Sequence, residues 1–106
     1  MGIFDFLKGS DINQGVEQFR GTPNGVLLDV RETGEYAQGH IPGSVNLPLS
    51  RIREAEALLP DFAAPLFVYC LSGGRSGQAA SALRSMGYTR VVNIGGISGY
   101  RGEVEV

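Results

Sequence analysis

Short apolar runs along this chain alternate with segments in which apolar residues recur every three or four positions. The apolar runs predict four strands, over residues 26–30, 44–49, 66–70 and 90–96. The helical spacing predicts helices over residues 11–20, 50–59 and 76–87, with a short helical turn in residues 31–39. Strands that are apolar throughout are typical of parallel sheets covered on both faces, so we expect a three-layer α/β/α sandwich.

Polar and helix-breaking residues predict where these helices begin and end. Ser10 or Asp11 is expected to cap the first helix, and Ser50 the second, because their side-chain oxygens can accept from unpaired amides. Pro60 is expected to stop the second helix, and Gly87 to end the third.

The composition is that of an ordinary folded domain. With 42% apolar and 19% charged residues in a chain of 106, we expect one domain over residues 1–106. The formal net charge is -2 and no basic stripe is visible, so we expect no nucleic-acid partner. No apolar stretch approaches the length of a membrane span, and we expect no membrane partner.

The first ten residues, MGIFDFLKGS, form an apolar extension before the predicted core. No basic region precedes its apolar residues, and Asp5 and Lys8 interrupt them, which argues against a signal peptide. Two interpretations stay open: the extension packs on the domain, or it contacts a partner or a second copy. Monomer and homodimer are therefore both open.

Cys70, the only cysteine, stands at the end of the most strand-like run, LFVYC. Sites in parallel α/β sheets form at the carboxyl ends of strands, which is where this residue is expected to lie. A single cysteine cannot form an internal disulfide, which favours a reducing compartment, and we expect a cytoplasmic protein.

The residues after Cys70 are expected to surround its sulfur with hydrogen-bond donors. Gly73 and Gly74 permit a tight turn, and Ser76 is expected to start a helix whose first amides are unpaired. The helix dipole and the Arg75 guanidinium add positive charge at the same point. This arrangement predicts a thiol with a lowered pKa and an anion-binding loop, hence nucleophilic catalysis. The alternative is that Cys70 is a small buried apolar side chain.

Two long motifs resemble the rhodanese family of sulfurtransferases. The loop CLSGGRS, from Cys70 to Ser76, resembles the family's active-site loop, and LLDVRETGEYAQGHIPGSVNLPL (residues 27–49) is similar to its upstream signature. The segment NIGG (residues 93–96), followed by Tyr100, resembles its closing motif. The resemblance covers residues 11–101 and implies a mainly parallel five-stranded sheet with helices on both sides.

The resemblance also implies a mechanism. The Cys70 thiolate would take the outer sulfur of a small anionic donor such as thiosulfate and pass it from a persulfide to a thiol or protein acceptor. The loop residues would hold the persulfide's charge: Leu71, Ser72, Gly73, Gly74, Arg75 and Ser76. No cofactor is implied, and no cluster with metal-ligand spacing is visible. The loop interior is uncharged, unlike that of many thiosulfate-using relatives, so another donor such as a protein persulfide is also considered.

Four titratable positions outside the loop carry weaker hypotheses. Asp29 and Arg31 either frame the pocket or form a structural salt bridge, and the structural role is favoured because polar groups at strand ends usually satisfy backbone. His40 lies in a turn of glycines and proline and is expected to be structural. Glu35 is expected to brace the same region.

Three alternative functions remain open. Related folds host cysteine phosphatases, but here only four residues separate Cys70 from Arg75, one fewer than in phosphatase loops. The domain could instead be a non-enzymatic docking or persulfide-carrying module, or a redox sensor, since a low-pKa thiol is oxidisable.

Overall fold

A computed structural model describes residues 11–106, so the predictions for the apolar extension of residues 1–10 lie outside the described residues. The α-helices are α1 (Ile12–Arg20), α2 (Thr33–Gln38), α3 (Ala55–Leu58) and α4 (Gly74–Ser85). The strands are β1 (Val26–Asp29), β2 (Ser44–Asn46), β3 (Leu66–Cys70) and β4 (Val91–Gly96). Two short 3₁₀ helices span Leu49–Glu54 and Ile97–Gly99.

The four strands form one parallel sheet in the order β2-β1-β3-β4. All four lie where the apolar runs predicted them. The fifth strand that the family resemblance implied is absent from residues 11–106. The nearest equivalent is a single antiparallel bridge between His40 and Glu105, in a carboxyl-terminal segment that is exposed and has no continuous apolar run.

Two hydrophobic cores lie on opposite faces of the sheet, which confirms the three-layer architecture. Alternate side chains of β3 supply them, since successive residues of a strand point to opposite faces. Phe67 and Tyr69 join Ile12 and Val16 of α1 on one face. Leu66, Val68 and Cys70 join residues of α3 and α4 on the other, among them Ala55, Ala79 and Leu83.

The second predicted helix is shorter and more irregular than expected. The chain forms a 3₁₀ helix at Leu49–Glu54, kinked at Arg51 (φ -120°), and only Ala55–Leu58 is α-helical. Ser50 is not its cap, because Pro48 precedes the helix and the Ser50 hydroxyl donates instead to the Glu32 carboxylate at 3.3 Å. The first helix does begin after Asp11, whose carboxylate accepts from the amides of Asn13 and Gln14.

Helix α4 begins two residues earlier than predicted, at Gly74 rather than Ser76. Gly73 precedes it with φ +105°, a left-handed conformation that favours glycine. The turn that leaves the strand is therefore tighter than expected.

At twelve residues α4 is the longest helix described, and no helix of residues 11–106 has the length and apolarity to cross a membrane.

Candidate active site

Strand β3 ends at Cys70, between β1 and β4, and α4 begins four residues later. The side chain of Cys70 is buried, with 1% of the residue exposed, and the residue packs in the core shared with α4. The sulfur nevertheless faces polar groups. The Gly73 amide donates to Sγ at 3.0 Å, and the hydroxyl of Ser76, which is fully buried, lies 3.4 Å from Sγ.

These contacts set the pKa of the thiol. Burial is the largest influence and raises the pKa of Cys70, because it disfavours the thiolate. Hydrogen bonds from the Ser76 hydroxyl and from the amides of Ser76, Gly73 and Ser72 act in the opposite direction and together outweigh burial. The net effect is a pKa below the ordinary value, as the sequence predicted.

Arg75 does not supply the free positive charge that was expected beside the sulfur. Its guanidinium binds the Glu35 carboxylate through two parallel hydrogen bonds, Nη1 to Oε1 at 2.8 Å and Nη2 to Oε2 at 3.0 Å. The bond to Arg75, followed by the amide of Glu32, lowers the pKa of Glu35 to about 2, so the pair stays ionised at neutral pH. Arg75 therefore fastens the loop to α2 instead of contacting Sγ.

The other loop residues are held by their backbones. The Leu71 carbonyl accepts from the Ser98 amide at 3.1 Å, while 46% of Leu71 is exposed; Ser72 and Gly74 are exposed as well. The loop packs directly on β4, since a Cβ added at Gly96 would overlap the Leu71 carbonyl and lie 2.6 Å from Ser72 Cα. Glycine is needed there for close approach.

Asp29 and Arg31 form a buried ion pair at the end of β1. Arg31 Nε donates to Asp29 Oδ1 at 3.0 Å, and its Nη2 donates to Asp29 Oδ2 at 2.6 Å and to the Gly39 carbonyl at 2.7 Å. Burial lowers the pKa of Arg31, but bonding and charge from Asp29 exceed that effect and raise it. These contacts brace the segment after α2. They are the contacts expected of a structural salt bridge, the role favoured from the sequence.

The contacts of His40 are also structural. Its ring stacks on Tyr36 with centroids 3.7 Å apart, and Nδ1 lies 2.9 Å from the Tyr36 carbonyl oxygen. Its backbone pairs with Glu105, and Nε2 lies 3.7 Å from the Glu105 carboxylate.

Sequence reasoning missed one residue of the site, Asn93 on β4. Its Oδ1 lies 2.7 Å from the Ser76 hydroxyl, and its Nδ2 donates to the Gly73 carbonyl at 3.1 Å. The sequence did contain a signal for this residue. Asn93 is a polar amide near the carboxyl end of the last predicted strand, and that strand was expected to lie in the same sheet as β3. The role of Glu35 as partner of Arg75 was missed as well.

A groove of about 300 Å³ lies elsewhere, between the start of α2, the end of β2 and α3. Pro48, Arg51 and Leu58 are among its lining residues, and none of residues 70–76 lines it. The groove is therefore separate from the Cys70 loop.

The fold and the site define a class. The chain is a parallel α/β/α domain whose candidate nucleophile, a cysteine, ends an interior strand and faces inward-pointing amides. A family model, the Rhodanese-like domain, matches residues 13–103. The chain belongs to the rhodanese-like domain family, and it is a sulfurtransferase, as the sequence resemblance implied.

Individual relatives agree with this assignment. The chain is 44% identical over 71 residues to the thiosulfate sulfurtransferase PspE of Escherichia coli, covering 66% of this chain and 68% of that protein. It is 42% identical over 79 residues to the thiosulfate:glutathione sulfurtransferase of Saccharomyces cerevisiae, covering 63% and 57%. A solved structure of a rhodanese with anions from E. coli superposes with a TM-score of 0.71 at 35% identity, covering 76% of this chain and 96% of that one.

Proposed function

We propose that this sulfurtransferase moves sulfane sulfur through a persulfide on Cys70. The observation that supports the proposal best is the contact between the Gly73 amide and Sγ at 3.0 Å, together with the Ser76 hydroxyl at 3.4 Å. Donors in this position stabilise a thiolate and would stabilise an anionic persulfide in the same way. A lowered pKa enlarges the thiolate fraction of Cys70, and the thiolate attacks without a general base.

The first step is a displacement at sulfur. The Cys70 thiolate attacks the outer sulfur of thiosulfate, the new S–S bond forms, and the S–S bond of thiosulfate breaks with its electron pair on sulfite. The products are a Cys70 persulfide anion and sulfite dianion, so the total charge is unchanged. No outside oxidant or reductant is required.

The second step regenerates the thiolate. An acceptor thiolate attacks the outer sulfur of the persulfide, and the electron pair of the broken bond returns to Cys70 Sγ. The acceptor leaves as its own persulfide, while cyanide as acceptor would leave as thiocyanate. The names of the E. coli and yeast relatives, which specify thiosulfate and glutathione, support a small anionic donor and a thiol acceptor.

The charge distribution around the loop favours the use of other sulfur donors besides thiosulfate. Residues 71–74 carry no charge, and Glu35 compensates the Arg75 guanidinium. We therefore propose that thiosulfate is a usable donor and that a persulfide of a small thiol or of a protein is used as well or better. A reduced thiolate is required in every turnover, which supports the proposal that the protein works in the cytoplasm.

Intact-mass spectrometry tests this function. The reduced protein is treated with thiosulfate or with glutathione persulfide, and excess donor is removed. We expect a gain of one sulfur atom on Cys70, reversed by cyanide with release of thiocyanate. The Cys70→Ser protein is the control and should gain nothing. If neither donor adds sulfur to the wild-type protein, the proposal is wrong.

A further inference from the structure

Asn93 contacts two residues that lie within hydrogen-bonding distance of the Cys70 sulfur, Gly73 and Ser76. Its Oδ1 lies 2.7 Å from the Ser76 hydroxyl oxygen, and its Nδ2 donates to the carbonyl of Gly73 at 3.1 Å. Gly73 is the residue whose amide reaches Sγ. One side chain on β4 therefore links the loop, the first turn of α4 and the sheet.

A bulge in β4 accompanies this arrangement. Val68 pairs with Asn93 while Tyr69 pairs with Gly95, which leaves Ile94 as an extra residue. The Asn93 Oδ1 accepts from the Gly95 amide at 3.0 Å, and Gly95 has φ +109°. Bulges are frequent beside active sites, where they redirect a side chain. Here the bulge fixes the orientation of the Asn93 side-chain amide, because the amide oxygen must accept the hydrogen bond from the Gly95 amide.

The Ser76 hydroxyl has one proton and several acceptors around it. Asn93 Oδ1 is nearest at 2.7 Å, the Gly73 carbonyl is at 3.1 Å and Cys70 Sγ is at 3.4 Å. A hydroxyl donates to one acceptor at a time. While the sulfur is a neutral thiol, a weak acceptor, the hydrogen bond to Asn93 is the stronger one.

Ionisation of the sulfur changes this preference. A hydrogen bond to a charged acceptor is about twice as strong as one between neutral groups. When the hydroxyl turns to the thiolate, Asn93 Oδ1 still accepts from the Gly95 amide and is not left unpaired. The exchange therefore leaves no buried acceptor without a partner.

We propose that Asn93 is a positioning residue for the sulfur chemistry: it holds the Ser76 hydroxyl while Cys70 is neutral and releases it to the sulfur when the sulfur becomes an anion. The importance of this exchange for sulfur transfer rests on the proposed function, whereas the exchange itself depends only on ionisation of Cys70. The charged groups of the loop and of α2, Arg75 and Glu35, are paired with each other and keep their charges throughout the titration.

Nuclear magnetic resonance of the wild-type protein tests the exchange without a variant that could unfold. We expect the side-chain amide signals of Asn93 and the backbone amide signal of Gly95 to shift with pH at the same midpoint as Cys70 ionisation. The side chain of Asn13, which bonds the Gly99 carbonyl and the Arg101 amide, is the matched control and should not shift at that midpoint. The Asn93 and Gly95 shifts should disappear in Cys70→Ser and shrink in Ser76→Ala.

A double-mutant cycle that measures the pKa of Cys70 separates the effect of Asn93 on the Ser76 hydroxyl from the effect of adding a negative charge near the sulfur. Asn93→Asp keeps the shape and the acceptor but makes the acceptor anionic, so it should hold the Ser76 proton and raise the pKa by about one unit. The substitution also removes the Nδ2 donor to the Gly73 carbonyl, but this loss is the same in both backgrounds. In a Ser76→Ala background the effect on the Ser76 proton is absent, so Asn93→Asp should raise the pKa of Cys70 by at most about half as much. Equal effects in the two backgrounds, or Asn93 signals that ignore Cys70 ionisation, would overturn the proposal. Failure of sulfur uptake by the wild-type protein would instead overturn the proposed function.

Discussion

Glu35 and Arg75 are 40 residues apart in sequence and form a bidentate ion pair, with oxygen–nitrogen distances of 2.8 and 3.0 Å. The pair joins α2 to the first turn of α4, and both side chains are about one-third exposed. It has two consequences. The loop is fastened to the upstream motif, and the loop's only cation is compensated before any donor arrives.

We predict that Glu35→Gln lowers the KM for thiosulfate by roughly two- to fivefold, the range expected from releasing a partly exposed charge. The amide still accepts one hydrogen bond from Arg75, but it no longer cancels the guanidinium charge. Initial rates with thiosulfate at several salt concentrations measure the effect, which should diminish as salt screens it.

Glu54→Gln is the matched control for this prediction. It removes a carboxylate that pairs with Arg51 on the exposed surface at 2.8 Å, outside the Cys70 loop. Its KM should equal that of the wild type. A Glu35→Gln protein with an unchanged or higher KM would show that Arg75 compensation does not limit thiosulfate binding.

The same pair predicts a dependence of stability on acid. The pKa of Glu35 is lowered from 4.5 to about 2 in the folded protein, chiefly by the hydrogen bond to Arg75. The unfolded chain therefore takes up this proton first as pH falls, and the stabilisation, complete above pH 4.5, is lost by about pH 2. Urea unfolding midpoints should fall less steeply across this interval in Glu35→Gln than in the wild type. Parallel profiles would contradict the ion pair's contribution.

The sulfur's environment predicts an order among loop substitutions. Ser76→Ala should raise the pKa of Cys70 by about one unit, because it removes a hydrogen bond to a charged group. Arg75→Gln should raise it by less than half as much, since the guanidinium is directed to Glu35. Thiolate absorbance against pH measures both. A larger effect for Arg75→Gln would restore Arg75 as the main source of positive charge at the sulfur.

Gly96→Ala should damage the site through the backbone. The added methyl overlaps the Leu71 carbonyl and must push the loop off β4, which we expect to lower the free energy of unfolding by about 1–3 kcal/mol and to raise the pKa of Cys70. Gly34→Ala is the control, because no atom lies within 4 Å of its added Cβ. Chemical denaturation and thiol titration of the two variants check this, and a Gly96→Ala protein like the wild type in both would contradict it.

Features coded locally in the sequence were predictable. The apolar runs located all four strands. The physical reason is clearest for β3, since a strand buried on both faces must be apolar throughout and residues 66–70 are buried without exception. Cys70 at the end of that run, followed by glycines, indicated a loop of amides around the sulfur. The cap at Asp11 was predictable for the same reason, since its partners are the next residues along the chain.

Features that depend on distant partners were not predictable. Arg75 was expected to face the sulfur because nothing local shows that Glu35 takes its guanidinium. Ser50 has the right residue type for a cap, but Pro48 and the Glu32 carboxylate decide its actual partner. Asn93 reaches the site through a bulge whose register depends on pairing with β3. In each case a tertiary contact overrides a local preference.

The measurement that tests the account most directly is the ionisation of Cys70 in the wild-type protein. Thiolate absorbance is recorded against pH, and the curve of Cys70→Ser is subtracted to remove the tyrosines. Because the chain has one cysteine, the difference belongs to Cys70 alone. The account predicts a midpoint below that of a cysteine in an unstructured peptide. A midpoint equal to or above that value would contradict stabilisation of anionic sulfur by the Ser76 hydroxyl and the loop amides.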